Sequence, residues 1–314
     1  GDVYKRQTFG KSAEANLRAT NIRTVRADAS ISTPFSVQFG VNGRGDYRLP
    51  MLGEHNALNA LAAIAVARRL NVDEAKVVQG LASVPLPELR MEQRLYSLAP
   101  IAPSATVIAD CYNANPDSMI AAIDTISRIA PSPLNTTSDA PRTASPRRIA
   151  VLGDMLELGT QSEEMHRQVL SRLNVLETEA VAVDTGNGTP ANPLPGAGKF
   201  DLVVLVGERM RKAATTLTAA GWPHARVITV ADVGDPSLAD AVASLIQPGD
   251  LVLLKGSRRT GLERVLPAIA RRAANAGASP LSSGGGGMNS STNPGTAPMG
   301  ECKSPQQFMQ PAGI

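Results

Sequence analysis

Between Thr8 and Pro50 apolar and polar residues alternate in short bursts. Ile22-Arg-Thr-Val-Arg is short and β-like, Phe35-Ser-Val-Gln-Phe alternates apolar with polar at a period of two, and the turn-rich Asn42-Gly-Arg-Gly-Asp leads into Tyr47-Arg-Leu, so a small antiparallel hairpin region is expected. The period then becomes helical. Gly53-Glu-His-Asn opens a helix with Leu58, Leu61, Ala62, Ala65 and Arg69 on one side, a second helix is expected over 73–83, and Pro85 and Pro87 close the unit.

From about Leu89 strands and helices alternate, the signature of a parallel sheet with crossover helices. Strands are expected at Ala105–Asp110, Arg148–Leu152, Asp201–Val206, Arg226–Val230 and Asp250–Leu254, and helices at 116–129, 161–173, 208–220, 236–246 and 261–274. The strands are continuous apolar runs rich in Val and Ile, as expected where both faces of a sheet are covered. The fold class is therefore α/β. Two stretches of Pro, Ser, Thr, Gly and Asn, 131–146 and 184–198, read as surface insertions, and 275–314 as a disordered tail.

Composition narrows the function classes only slightly. The 31 Lys plus Arg residues against 28 Asp plus Glu are scattered, leaving a net charge of +3, so no nucleic-acid partner is expected. No apolar run approaches the roughly 18 residues of a membrane span, so membrane insertion is not expected either. Two cysteines, Cys111 and Cys302, support neither a disulfide framework nor a thiolate metal site, which fits a cytoplasmic setting. The first residues, 1–7, read as a non-native junction, and an upstream part of the reading frame is expected to be missing.

In open α/β sheets the informative residues end a strand and begin a turn. Asp110-Cys-Tyr-Asn-Ala-Asn-Pro-Asp-Ser is one such segment: Asn115, Pro116 and Asp117 make a good helix start, while Asp110, Tyr112 and Asn113 are displayed on the turn. Asp110 is placed to accept hydrogen bonds from ribose hydroxyls, or else to satisfy local backbone amides. Gly153-Asp-Met-Leu-Glu brings Asp154 and Glu157 to the same edge, where two carboxylates could orient an ammonium group or simply cap a turn. Lys255-Gly-Ser-Arg-Arg combines cations, a hydroxyl and a Gly ahead of a helix, which suits a carboxylate or phosphate as well as it suits a solvated loop. On the first helix His55, Asn56 and Asn59 lie near one surface, and an Asn amide can pair with the edge of adenine. No Gly-x-x-x-x-Gly-Lys-Ser/Thr loop occurs anywhere in the sequence, nor does His-Glu-x-x-His or Gly-x-Ser-x-Gly.

Taken together, GEHNALNALAA at 53–63, LRME at 89–92, DCYNANPDSM at 110–119, VLGDMLELG at 151–159 and KGSR at 255–258 resemble the Mur ligases in order and spacing. The YNANPDS and GDMLELG strings resemble the member that joins D-alanyl-D-alanine to UDP-N-acetylmuramoyl-tripeptide, whereas the Asp-Asn-Pro-Arg motif of a sister enzyme is absent. The resemblance implies that 8–87 is the C-terminal part of a central ATP-binding domain and that 88–274 is a Rossmann-like C-terminal domain with a mostly parallel sheet. It implies an ATP-dependent amide ligase acting as a monomer, with the P-loop, the Mg2+ ligands and a carbamylated lysine upstream of this chain, which alone would be inactive.

By position, the resemblance implies ATP contacts for His55, Asn56, Asn59, Arg90 (phosphate) and Asp110 (ribose). It implies an acceptor-substrate role for Tyr112, Asn113, Asn115, Asp154, Glu157, Lys255, Ser257 and Arg258, with Lys255 and Arg258 on the dipeptide carboxylate. No metal ligand and no complete catalytic set is expected within the chain. The competing expectations are a non-catalytic module that holds nucleotide or peptide, and another Mur-type amide ligase such as a folylpolyglutamate synthase.

Overall fold

The structure is a computed structural model of the 314-residue chain, and it describes residues 8–27, 30–39, 43–100, 104–131, 146–181, 194–195 and 198–276. The junction 1–7, nearly all of both insertions, and the tail beyond 276 with Cys302 lie outside the described residues.

The first part is a five-stranded sheet built from β1 (Phe9–Gly10), β2 (Leu17–Thr20), β3 (Val25–Ala27), β4 (Ser30–Phe39) and β5 (Gly43–Leu49). The expected turn at Asn42–Asp46 is mostly strand: Gly43 to Asp46 pair in register with Phe39 to Ser36 of β4. The sheet is antiparallel except where β1 runs parallel to β2. Leu17, Phe35, Val37, Tyr47 and Leu49 face α1 (Glu54–Arg69) and α2 (Glu74–Ala82) across one apolar core. The buried stripe of α1 is Ala57, Ala60, Leu61 and Ile64; of the expected stripe only Leu61 is fully buried, and Ala62 is exposed. In an alanine-rich helix several faces are apolar, so the bulky Leu61 and Ile64 select the one that packs.

The second part is a six-stranded sheet in the order β12-β11-β8-β13-β7-β6. Its strands are β6 (Glu92–Tyr96), β7 (Ala105–Asp110), β8 (Arg148–Gly153), β11 (Leu202–Val206), β12 (Val227–Val230) and β13 (Leu251–Lys255), all parallel except β6 at the edge. A two-residue pair, β9 (Ala180–Val181) with β10 (Leu194–Pro195), stands apart. The five expected strands form within a residue of their expected bounds, while β6 carries too mixed a pattern to be expected.

Alternate residues of these strands enter two separate cores. Ile108, Leu152, Val203 and Leu253 pack under α3 (Pro116–Ser127), α4 (Ser162–Thr178), α5 (Glu208–Ala213) and α6 (Thr215–Ala219). Val107, Val151, Val204 and Leu254 pack under α7 (Pro236–Ser244) and α8 (Val265–Asn275). The helix expected over 208–220 is thus two helices, and the one expected from Gly261 begins at Val265, because Gly261 is left-handed and a 3-10 turn at Leu262–Arg264 intervenes. The two parts are docked to each other. Leu52 and Ile31 enter the core beneath α3, Ile31 N donates to Gln93 Oε1, and the Arg26 guanidinium reaches across to Ala130 and Thr106.

Candidate functional site

The sheet order inserts β13 between β7 and β8, and its register sets Lys255 directly beside Asp110. Lys255 is only 1% exposed, and its Nζ lies 2.7 Å from Asp110 Oδ2 while donating to the Asn113 carbonyl at 3.1 Å. The other carboxylate oxygen, Oδ1, accepts from Met91 N at 3.3 Å. Asp110 therefore joins three elements at the carboxyl edge of the sheet.

Arg90 is presented by an unusual piece of backbone. Leu89 and Met91 on either side of it have φ of 56° and 53°, a region that costs ordinary side chains about 1–2 kcal/mol. Leu89 is buried in one core of the sheet and Met91 in the other, and Tyr112 N donates to the Leu89 carbonyl, so packing holds the strained turn. The exposed Arg90 guanidinium lies 4.1 Å from the centre of the half-exposed Tyr112 ring, a cation–π contact that leaves its N–H donors outward.

The opposite wall is the start of α1. Gly53 has φ 98°, its N–H donates to Thr33 Oγ1, and a Cβ there would lie 2.7 Å from the His55 ring and 3.0 Å from Thr125 Oγ1. Glycine is thus required twice over, by conformation and by space. His55 and Asn59 are exposed, whereas Asn56 is buried and donates from Nδ2 to the Leu52 carbonyl. Although His55 is open to solvent on one side, desolvation by the protein around its ring pulls the imidazole below its usual value, with Asp110 opposing that shift.

Between these walls lies a cleft of about 600 Å³, within the usual range for small-molecule sites. It brings together all five residues expected to contact ATP: His55, Asn56, Asn59, Arg90 and Asp110. Four residues of the expected acceptor set line the same cleft, namely Tyr112, Asn113, Asn115 and Lys255. Asn115 is largely occupied as the cap of α3, its Oδ1 accepting from Ser118 N while Ser118 Oγ accepts in return from Asn115 N.

The geometry sets several of the expected residues apart from one another. Lys255 does not offer an open cation to a substrate carboxylate, because its ammonium is buried against Asp110 and Asn113. Asp154 and Glu157 do not converge. Asp154 is buried and its carboxylate accepts from Arg209 N and Met210 N at the start of α5, reached over Gly207, where a Cβ would collide with it. Glu157 is exposed with φ 63°. Ser257 Oγ is buried and accepts from Leu156 N, and Arg258 is an exposed side chain 3.7 Å from Glu263. Asp154, Glu157, Ser257 and Arg258 thus belong to a second region, formed by the loops after β8 and β13.

Sequence reasoning missed Met51 and Met91, which line the cleft, and His166, which is buried behind the loop after β8. The methionines lie in the Met-Leu-Gly and Leu-Arg-Met-Glu strings but give no polar signal. Cys111 is buried with its thiol pushed well up by burial, and its Sγ lies 3.3 Å from the Leu254 carbonyl, which leaves it no chemistry. Among the described residues no group of three or more His, Cys, Asp or Glu could hold a metal ion, and no helix is long and apolar enough to cross a membrane.

Comparison with known proteins identifies the family and the fold. Residues 90–258 match the glutamate ligase domain of Mur ligases, and residues 2–67 match the Mur ligase middle domain. The UDP-N-acetylmuramoyl-tripeptide--D-alanyl-D-alanine ligase of Mycobacterium tuberculosis is 32% identical over 228 residues, 73% of this chain and 40% of that protein. The enzyme of the same name from Treponema pallidum is 29% identical over 222 residues, 71% of this chain and 38% of that protein. The chain spans about two fifths of the length of these curated relatives. Among solved structures, MurF from Thermotoga maritima in complex with ADP superposes with a TM-score of 0.58 at 21% identity, covering 85% of this chain and 48% of its own. MurF from Acinetobacter baumannii gives 0.57 at 23%, covering 85% and 47%. These likenesses establish a shared α/β fold with a Rossmann-like C-terminal part, and the match to the family's domains over more than half the chain establishes that this protein belongs to the Mur ligase family.

Proposed function

We propose that this chain forms the adenosine side and the acceptor side of an ATP-dependent amide ligase of peptidoglycan precursor synthesis, one that joins D-alanyl-D-alanine to UDP-N-acetylmuramoyl-tripeptide. The observation that carries this reading is the convergence of Asn59, Arg90 and Asp110 on one cleft in a chain of this family.

In the reaction, a carboxylate oxygen of the tripeptide takes the γ-phosphoryl group of ATP, giving an acyl phosphate and ADP. The dipeptide amine then attacks the acyl carbon, loses a proton, and inorganic phosphate leaves as the C–O bond breaks. Asn59 and the free Oδ1 side of Asn56 face the adenine edge, and His55 borders it. A carboxylate has about four acceptor sites, so Asp110 can take ribose hydroxyls while it holds Lys255 and Met91 N. Arg90, lying over the Tyr112 ring, meets phosphate oxygens and neutralises charge that grows during transfer. Lys255 orients Asp110 rather than touching substrate. The family implies Mg2+, which supplies charge neutralisation on the phosphates when bound; no metal-binding group is formed among the described residues, so its ligands are not assigned to them.

Isotope-edited NMR on this chain tests the reading. ATP is expected to shift the amides of Asn59, Arg90 and Asp110 and to bind more tightly than GTP. D-alanyl-D-alanine is expected to shift Tyr112 and Asn113 and the loops after β8 and β13. Equal binding of GTP, or no shift at Asp110 with millimolar ATP, overturns the adenosine assignment. An equal response to D-alanyl-D-alaninamide overturns recognition of the dipeptide carboxylate by Arg258.

A further inference from the structure

The loop that follows β8 is fixed through three successive backbone amides, each held by a different element. Asp154 N donates to the Val206 carbonyl at the end of β11. Leu156 N donates to Ser257 Oγ, and Ser257 N in turn donates to the Asp154 carbonyl, which ties the loop to the one after β13. Between them, Met155 N donates to Nε2 of His166 on α4 at 3.0 Å.

His166 is fully buried. Because Met155 N is a donor, Nε2 must present its lone pair, so the proton sits on Nδ1, which donates to the Ser162 carbonyl 2.5 Å away. The imidazole is thus neutral, in one tautomer, with both nitrogens used. Beyond this anchored stretch the chain turns left-handed at Glu157 and again at Gly159, with φ of 63° and 61°. Glu157 is consequently the first residue released to solvent at the carboxyl edge of the sheet.

We infer that His166 is a positioning residue: its neutral ring fixes the Asp154–Gly159 loop, and through Leu156 and Ser257 the loop after β13, as the acceptor-side wall of the site, and protonation of the ring releases that wall. A second proton would have to enter on Nε2, facing the Met155 N–H, so the cation and the loop contact exclude each other. Burial also pulls His166 below its usual value. Of the charged groups facing it, Asp154 on the loop favours the cation and Arg209 on α5 opposes it, while Glu163, Glu164 and Arg167 on α4 are paired among themselves. The assignment to the acceptor side rests on the ligase reading; the fixing of the loop does not.

The test uses the whole chain and three readouts. Nitrogen shifts of the imidazole should report the Nδ1–H tautomer at pH 7.5. Amide exchange at Met155 and Leu156, corrected for its intrinsic pH dependence, should rise as the ring titrates below its usual value. His166→Phe should raise exchange at these two amides by about tenfold or more at pH 7.5 while Val169 to Leu176 stay protected. His166→Gln, which keeps an acceptor that cannot titrate, should leave them protected at every pH, and it serves if the Phe variant does not fold. An Nε2–H tautomer, or unchanged protection of Met155 and Leu156 when the ring is protonated or replaced, overturns the role. D-alanyl-D-alanine should bind His166→Phe more weakly than the native chain; a loosened loop with unaltered dipeptide binding overturns the acceptor-side assignment alone and leaves the positioning role standing.

Discussion

Lys255 and Asp110 end adjacent parallel strands, and their side chains meet at 2.7 Å in a setting where the lysine is almost fully enclosed. An enclosed ion pair contributes little net stability compared with apolar residues of the same size, but breaking it is costly. Its value here is geometric: the ammonium also holds the Asn113 carbonyl, so one cation fixes both the carboxylate and the turn that carries Tyr112.

Lys255→Met should therefore destabilise the chain by about 3 kcal/mol, because Asp110 is left without its cation. The double variant with Asp110→Asn should recover a large part of that loss. Urea unfolding of the four proteins measures the coupling; single and double variants that simply add would mean the two side chains are not a unit.

Arg90 and Tyr112 are both open to solvent, so their contact is worth about 0.5–1 kcal/mol at most, and Tyr112→Ala should barely move the unfolding midpoint. Its effect should appear in binding. Titration calorimetry is expected to show weaker ATP with unchanged adenosine for Tyr112→Ala and Arg90→Ala alike. A matching loss of adenosine affinity would place Arg90 on the base or ribose rather than the phosphates.

Gly53→Ala forces a left-handed backbone onto a Cβ that has no room, since it would press on His55 and Thr125. A loss above 1 kcal/mol is expected, together with shifts of the His55 ring resonances. An alanine variant as stable as the native chain would mean that the start of α1 rebuilds freely.

The parallel sheet was legible because its strands are buried on both faces, which leaves uninterrupted apolar runs such as Leu202–Val206 and Leu251–Leu254. The edge strand Glu92–Tyr96 was not, because each of its residues is half-buried and its Gln93 and Arg94 serve neighbours rather than a core. At the site, Asp110 and Arg90 stood out by motif, and both line the cleft. What the sequence could not convey was which polar side chains are already spent. Asp154 caps α5, Ser257 holds Leu156 and Lys255 holds Asp110, each through a partner 55 to 145 residues away. Motif and spacing identify strand-end polar groups, but only tertiary pairing decides which of them remain free for a ligand.

Arg26 yields a prediction about how the two parts stay docked. It leaves β3 and enters the second part, donating from Nε to the Ala130 carbonyl at 3.2 Å and from Nη1 to Thr106 Oγ1 at 3.1 Å. Burial lowers its guanidinium to about 10. Arg26→Met keeps much of the aliphatic bulk but leaves both acceptors unsatisfied at the seam, a loss of about 1–3 kcal/mol. Thr106→Val, which removes one acceptor, should cost less, and the pair together should cost less than the sum, since they share a contact. The cleft is built from α1 on one side and the sheet edge on the other, so loosening this seam should also weaken ATP without altering any residue that lines it. Unfolding curves give the stability and calorimetry the affinity. An Arg26→Met chain that binds ATP as tightly as the native one would mean that Leu52 and Ile31 hold the two walls in place without the arginine.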